Sequence, residues 1–205
     1  VIKNKKKFIY IHLGYPKTAT TFLQEKIFNK LKNVVYLGKP YQNNFKKSFN
    51  YLFQRNVSLY NKKKNKIKEL FKSFNKNKNY LISDEAFLST SVEIHEPFLA
   101  VKRLKQLIKN HQIKVFFSIR NQGSILLSDY AEDRDTYARM SSSWKKWTTL
   151  LTIFNKNKKK NNNQKKFLNL LNYHKTYKRL VKLFGRKNVN FLFYEEMLFN
   201  QSKFY

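Results

Sequence analysis

The chain has 205 residues, 41% of them hydrophobic and 17% aromatic, which suits one substantial core and a single domain. With no cysteine it has no disulfide framework and no thiolate metal site, in keeping with a reducing, cytoplasmic compartment, and its four scattered histidines lack the paired spacing of a zinc site. The net charge of +31 invites a nucleic-acid reading, but only seven of the 43 basic residues are Arg, and 24 Asn accompany the 36 Lys in mixed tracts such as Asn61–Lys68, a pattern of solvated surface rather than of base-reading forks.

The first apolar run, Phe8–Leu13, has two β-branched and two aromatic side chains and enters Gly14, so it reads as a buried strand ending in a tight turn. A helix is expected next. Thr18, Thr20 and Thr21 offer hydroxyls for its N-cap, and Phe22, Leu23, Ile27, Phe28 and Leu31 keep to one face. Lys17 and the backbone N–H groups around it then stand at the positive end of a helix dipole, directly after a strand, where phosphate binds. The ATP loop G-x-x-x-x-G-K-[ST] requires Gly before its Lys, and Pro16 stands there instead. Gly14, Pro16, Lys17, Thr18, Thr20, Thr21, Leu23 and Gln24 match another pattern, G-x-P-K-T/S-G-T-T-x-L-Q, and so the stretch resembles the 5′-phosphosulfate loop of the sulfotransferases. By that resemblance Tyr15, Pro16, Lys17, Thr18, Ala19, Thr20 and Thr21 bind the cofactor 3′-phosphoadenosine 5′-phosphosulfate, with Lys17 catalytic. Ala19 replaces the family's usual Gly: its methyl costs little in a right-handed conformation and impairs the site at positive φ.

Val34–Leu37 is a possible short strand, broken by Gly38 and Pro40, and residues 41–60 read as irregular with some helix. Family members shape their acceptor pocket there, but no acceptor is identifiable. Ile67, Leu70, Phe71 and Phe74 mark a helix, and Tyr80–Ile82 a strand ending in Ser83-Asp84-Glu85. Since ligands of open α/β sheets bind at the carboxyl ends of strands, the acid pair is expected to face the crevice of Lys17. Pro97 opens a helix carrying Leu99, Val101, Leu104, Leu107 and Ile108, and Ile113–Ile119 is a buried strand running into Arg120.

Sulfotransferases carry an Arg at a strand end and a Ser eight residues later, together binding the cofactor's 3′-phosphate; Arg120 and Ser128 have that spacing. A planar two-pronged donor suits the phosphate, although Arg120 could also cap its strand or pair with Asp129. Gln122, where the family more often has Pro, is similar to the bacterial branch. Residues 131–154 read as helix, with Trp144 and Trp147 on its core side, and Lys156–Lys166 as a Lys/Asn loop. A helix over Phe167–Phe184 closes at Gly185, and the last strand is Val189–Tyr194. The run FGRKNVNFLFYEEM is similar to a late segment of sulfotransferases in which Tyr194 and Glu195 would tie that strand to its neighbours.

Ten of the twelve acids fall within residues 84–96, 129–135 and 195–196, after strands or in the helices that follow them. Glu85 stands where cytosolic sulfotransferases place a catalytic His, and by position alone it is the candidate base; Asp84 and His12 are rivals, and a salt bridge to one of the many Lys residues is the plainer role for Glu85.

The expected fold is α/β, a three-layer P-loop-type domain with a central parallel sheet and helices on both faces. The implied reaction moves a sulfuryl group from 3′-phosphoadenosine 5′-phosphosulfate to a hydroxyl, carbohydrate among the options, leaving adenosine 3′,5′-bisphosphate, without a metal ion. A P-loop ATP-dependent kinase or ATPase, and a non-catalytic polyanion-binding protein, are the alternatives. The expected partner is a small-molecule or carbohydrate acceptor, with no specific nucleic acid, and no apolar run approaches the roughly 18 residues of a membrane span. Family members continue into a basic, glycine-containing lid over the nucleotide, and one domain over 1–205 without that lid is expected.

Overall fold

The computed structural model describes residues 7–15, 17–39, 45, 48–54, 56–75, 77–88, 97–125, 127–128, 131, 169 and 171–199. The expectations for Pro16, Asp129, the tryptophan helix beyond residue 131 and the Lys156–Lys166 loop lie outside these residues.

Ile9, Ile11 and Leu13 point to one side of the first strand and are fully buried, while Tyr10 and His12 point to the other. Such a strand must be covered on both faces, and it lies at the centre of a sheet. The strands are β1 (Phe8–Gly14), β2 (Val34–Gly38), β3 (Asn79–Ser83), β4 (Gln112–Ile119) and β5 (Val189–Phe193), in the order β2-β3-β1-β4-β5. Every neighbouring pair is parallel; Ile11 lies opposite Ile82 on one side and Val115 on the other.

One face of the sheet carries the larger core. Ile9, Ile11, Leu13, Ile82, Val115 and Phe117 pack there against α2 (Val57–Lys72), α3 (Pro97–Leu107) and α4 (Tyr173–Phe184) through Ile67, Phe71, Val101, Leu104 and Leu180. On the other face Tyr10, Leu81 and Phe116 meet Leu23 and Phe28 of α1 and Met197 of α5 (Tyr194–Phe199). Helix α1 is a composite: an α turn at Thr20–Phe22, a wide π turn at Leu23–Ile27 and a 3₁₀ turn at Phe28–Lys30. These are the three layers expected from the alternation of strands and helices.

Several boundaries differ from the sequence reading. Helix α4 begins at Tyr173, not Phe167, because the Asn172 side chain accepts a hydrogen bond from Lys175 N at 2.9 Å and caps it. Helix α2 begins at Val57, inside the stretch read as irregular, because the Asn56 side chain accepts a hydrogen bond from Leu59 N at 3.0 Å and so caps it. Its Lys-rich middle is the exposed face of an amphipathic helix whose buried stripe is Tyr60, Ile67 and Phe71. Tyr194, read as the end of β5, instead starts α5. Among the described residues no helix is long and apolar enough to cross a membrane.

Candidate active site

Strand β1 connects toward β2 and β3 on one side, whereas β4 and β5 lie on its other side, so the crevice at the carboxyl ends of β1 and β4 is the topological switch point of the sheet. The loop after β1 and the loop after β4 both open there.

The first loop is held by its own chemistry. Gly14 has ordinary backbone angles, and its requirement is room: a Cβ at this position would collide with the Thr20 hydroxyl. Thr18 Oγ1 donates to the Tyr15 carbonyl at 2.7 Å and Thr20 Oγ1 to the same oxygen at 3.3 Å. Both threonines are buried, so the hydroxyls expected to cap the helix brace the turn instead. Thr21 is exposed at the mouth. The cap position itself is Ala19, with no side-chain acceptor, and Leu23 N closes the first turn onto the Ala19 carbonyl at 3.0 Å. The helix thus starts with N–H groups that no side chain caps, an opening suited to an anion.

Ala19 is left-handed, at φ 58° and ψ 26°, and Lys17 has φ 63°. Of the two conformations open to Ala19 from sequence, the structure has the costly one, at about 1–2 kcal/mol for a residue with a Cβ. The Tyr15 side chain is buried and its hydroxyl donates to Thr176 Oγ1 at 2.8 Å, so the side chain is part of the core and not of the crevice. Burial pushes that phenol well above its ordinary pKa, partly offset by the Thr176 hydrogen bond.

Arg120 follows β4 and meets the first loop, its Nη1 donating to the Lys17 carbonyl at 2.9 Å. Its guanidinium carbon lies 4.3 Å from the centroid of the Tyr194 ring, a cation–π distance, and Nε is buried with no hydrogen-bond partner among the described residues. The backbone beside it is pinned from the end of the chain. The Tyr173 hydroxyl donates to the Arg120 carbonyl at 2.6 Å, and Glu195 Oε1 accepts from Asn121 N at 2.8 Å. Asn121 Oδ1 in turn accepts from Ser124 N at 3.1 Å and starts the helical residues 122–125 and 127–128, which carry half-buried Ser128. Burial pushes the Tyr173 phenol up to about 12, against the lowering effect of its bond to the Arg120 carbonyl.

At the end of β3 the two acids diverge. Asp84 is buried and its Oδ1 accepts from Ala86 N at 2.9 Å, capping the 3₁₀ turn Glu85–Phe87. Glu85 points outward and pairs with Lys39 Nζ at 2.9 Å, the two side chains 35% and 46% exposed. Burial alone would lower the Lys39 pKa, but the hydrogen bond to Glu85 and the charges of Asp84 and Glu85 outweigh it and raise the value. The plainer role weighed for Glu85 is therefore realised, and its partner is Lys39.

His12 is fully buried between Ser83 and Ser118, whose hydroxyls lie 2.8 Å from Nδ1 and Nε2, with Phe116 stacked on its ring. Gln24 Nε2 reaches the Ser83 hydroxyl at 3.0 Å, so one cluster ties β1, β3, β4 and α1. Burial lowers the His12 pKa to about 3. With both ring nitrogens engaged by serine hydroxyls and no exposed surface, His12 is placed as a structural histidine of the sheet and is a weaker rival to Glu85 than its position in the first strand alone suggests. Among the described residues no group of three or more His, Asp or Glu side chains is placed to hold a metal ion.

The structure thus brings Lys17, Thr18, Ala19, Thr20, Thr21 and Arg120 together, with Ser128 on the following helix and Asp84 and Glu85 at the neighbouring strand end. Sequence reasoning missed Tyr173 and Lys39, whose roles come from tertiary placement and have no local signature. The model for the sulfotransferase domain matches residues 10–203. The chain belongs to the sulfotransferase family.

This sulfotransferase resembles in fold the sulfotransferase of Alicyclobacillus acidocaldarius, with a TM-score of 0.58 and 13% identity over 95% of this chain and 76% of that one. A more distant likeness, TM-score 0.40 and 8% identity over 97% of this chain and 90% of the other, is to thymidylate kinase from Candida albicans, and it carries nothing for function. No curated protein matches the sequence. Family membership makes the protein a transferase of sulfuryl groups.

Proposed function

We propose that this sulfotransferase uses 3′-phosphoadenosine 5′-phosphosulfate as donor and a hydroxyl group, carbohydrate among the candidates, as acceptor. One observation carries the reading: two phosphate-type sites far apart in sequence converge at the switch point, Arg120 reaching the carbonyl of Lys17. The residues present fit such a donor. The helix after Ala19 is uncapped by any side chain among the described residues, and the Arg120 guanidinium stands at the same crevice, a planar fork of the kind that suits a phosphate.

When bound, the donor supplies the sulfuryl group and a phosphate as leaving group. Lys17 sets a positive charge where negative charge grows on the departing oxygen, and the backbone of residues 17–21 holds the 5′ end. Pro16 and the hydroxyl of Thr21 belong to the same proposed seat. Arg120 and Ser128 take the 3′-phosphate, which distinguishes this donor from ATP. Glu85 is the proposed base for the acceptor hydroxyl. Its pair with Lys39 is no obstacle, since so exposed an ion pair is worth about 0–1 kcal/mol and can yield to an acceptor. A cytoplasmic setting goes with a cofactor of metabolic origin and a chain free of cysteine.

A thermal-shift panel tests the donor. Adenosine 3′,5′-bisphosphate without metal should raise the melting temperature more than adenosine 5′-phosphate or ATP with Mg²⁺, the second phosphate adding about 1.5–3 kcal/mol of binding. Equal shifts from the bisphosphate and the monophosphate would withdraw the 3′-phosphate site, and a preference for ATP with Mg²⁺ would favour the kinase reading.

A further inference from the structure

The first loop holds two residues in a costly backbone conformation. Lys17 and Ala19 both lie at positive φ, and neither is Gly. Strained positions of this kind persist only where the surroundings over-determine them. Thr18 and Thr20 tie the turn to the Tyr15 carbonyl, yet neither bond reaches the peptide between Lys17 and Thr18. That peptide's carbonyl is the one that Arg120 Nη1 holds at 2.9 Å. The guanidinium is not free to wander: Tyr194 supports its face, Tyr173 fixes the carbonyl of Arg120, and Glu195 fixes the N–H of Asn121. An anchored donor just after β4 therefore grips the carbonyl of one of the two positive-φ residues in the loop after β1.

We propose that Arg120 is a positioning residue for the 5′-phosphosulfate loop as well as a ligand of the 3′-phosphate, so that it keeps the Lys17 turn in its binding conformation before any nucleotide arrives. The seat for one end of the donor is then built partly by the residue that holds the other end. This deepens the donor assignment and rests on it for the second role, whereas the first concerns the free protein. A 3′-phosphate ligand alone would leave the affinity for adenosine 5′-phosphate untouched when removed; a strut would not.

Two measurements on the free and liganded protein decide between them. In amide hydrogen exchange of the nucleotide-free protein, Arg120→Ala should speed exchange in residues 17–22 by about five-fold or more, with β1 and β4 protected as before. Its affinity for adenosine 5′-phosphate, which has no 3′-phosphate, should fall by a similar factor. Arg120→Met keeps an aliphatic chain over Tyr194 without any donor, and the same exchange change is expected from it should the alanine variant fail to fold. Unchanged loop exchange in whichever variant folds would overturn the strut, as would an unaltered affinity for adenosine 5′-phosphate. Wild-type protein that does not distinguish the mono- and bisphosphate would instead strike at the donor assignment, and the exchange result would still decide the strut.

Discussion

Ala19 shows how a single methyl bears on the site. Its left-handed backbone, at φ 58°, is one that Gly adopts freely and Ala at a cost. Ala19→Gly should therefore stabilise the protein by ~1 kcal/mol in denaturant unfolding, and a neutral or destabilising result would mean that the loop bears no strain there. Glu85 presents the opposite case, a side chain whose local bond is weak and whose proposed role is large. If it takes the acceptor proton, Glu85→Gln should lower turnover by about 10²–10⁴-fold and leave nucleotide affinity nearly intact. Turnover within a few-fold of wild type would transfer the task to Asp84 or to the acceptor itself. Asp84 is poorly placed for it, since one of its carboxylate oxygens already caps the following turn.

Between elements, the joint that matters most is the buried cluster of His12, Ser83, Ser118 and Gln24, which locks three strands and α1 at the end of the sheet that carries the loops. Its imidazole remains neutral when folded, at a pKa of about 3 against 6.5 in the open chain. As pH falls through 6.5 the unfolded chain takes up this proton and the folded one does not. The contribution is therefore complete above that pH and is lost progressively toward about 3, by up to ~1.4 kcal/mol per pH unit. Denaturant midpoints measured at about pH 7.5 and about pH 5 should show that fall, and His12→Gln should flatten it. An equally steep fall in His12→Gln would assign the acid sensitivity to other groups. The same scale explains what could be read in advance. The strands β1 to β4 were legible because each is a short apolar run closed by Gly, Ser or a charged residue, whereas β5 runs into the aromatic Tyr194 and was read one residue too long. Helix α2 was cut short because its Lys/Asn tract masks the apolar stripe, and the tie of Tyr173 to the Arg120 carbonyl depends on how α4 docks beside β4, which no local pattern encodes.

For the molecule as a whole, the charge of +31 and the site are separate matters. The lysine-rich middle of α2 is the solvated side of an amphipathic helix, whereas the cations of the site, Lys17 and Arg120, are partly buried and held by backbone geometry. A long-range positive field would still draw the proposed anionic donor toward the protein, more strongly at low salt. Lys17 and Arg120 were legible as two motifs, and their meeting follows from the sheet order alone, since β1 and β4 are neighbours. That order also governs the chain's passage off the ribosome. Strand β1 precedes the other four, yet its two neighbours are β3 and β4, so it waits unpaired through the synthesis of β2 and α2 and is flanked on both sides only when Gln112–Ile119 has emerged. The proposed phosphate seat is not complete even then, because Tyr173, Tyr194 and Glu195, which hold Arg120 and its neighbour Asn121 in place, come only with α4 and α5.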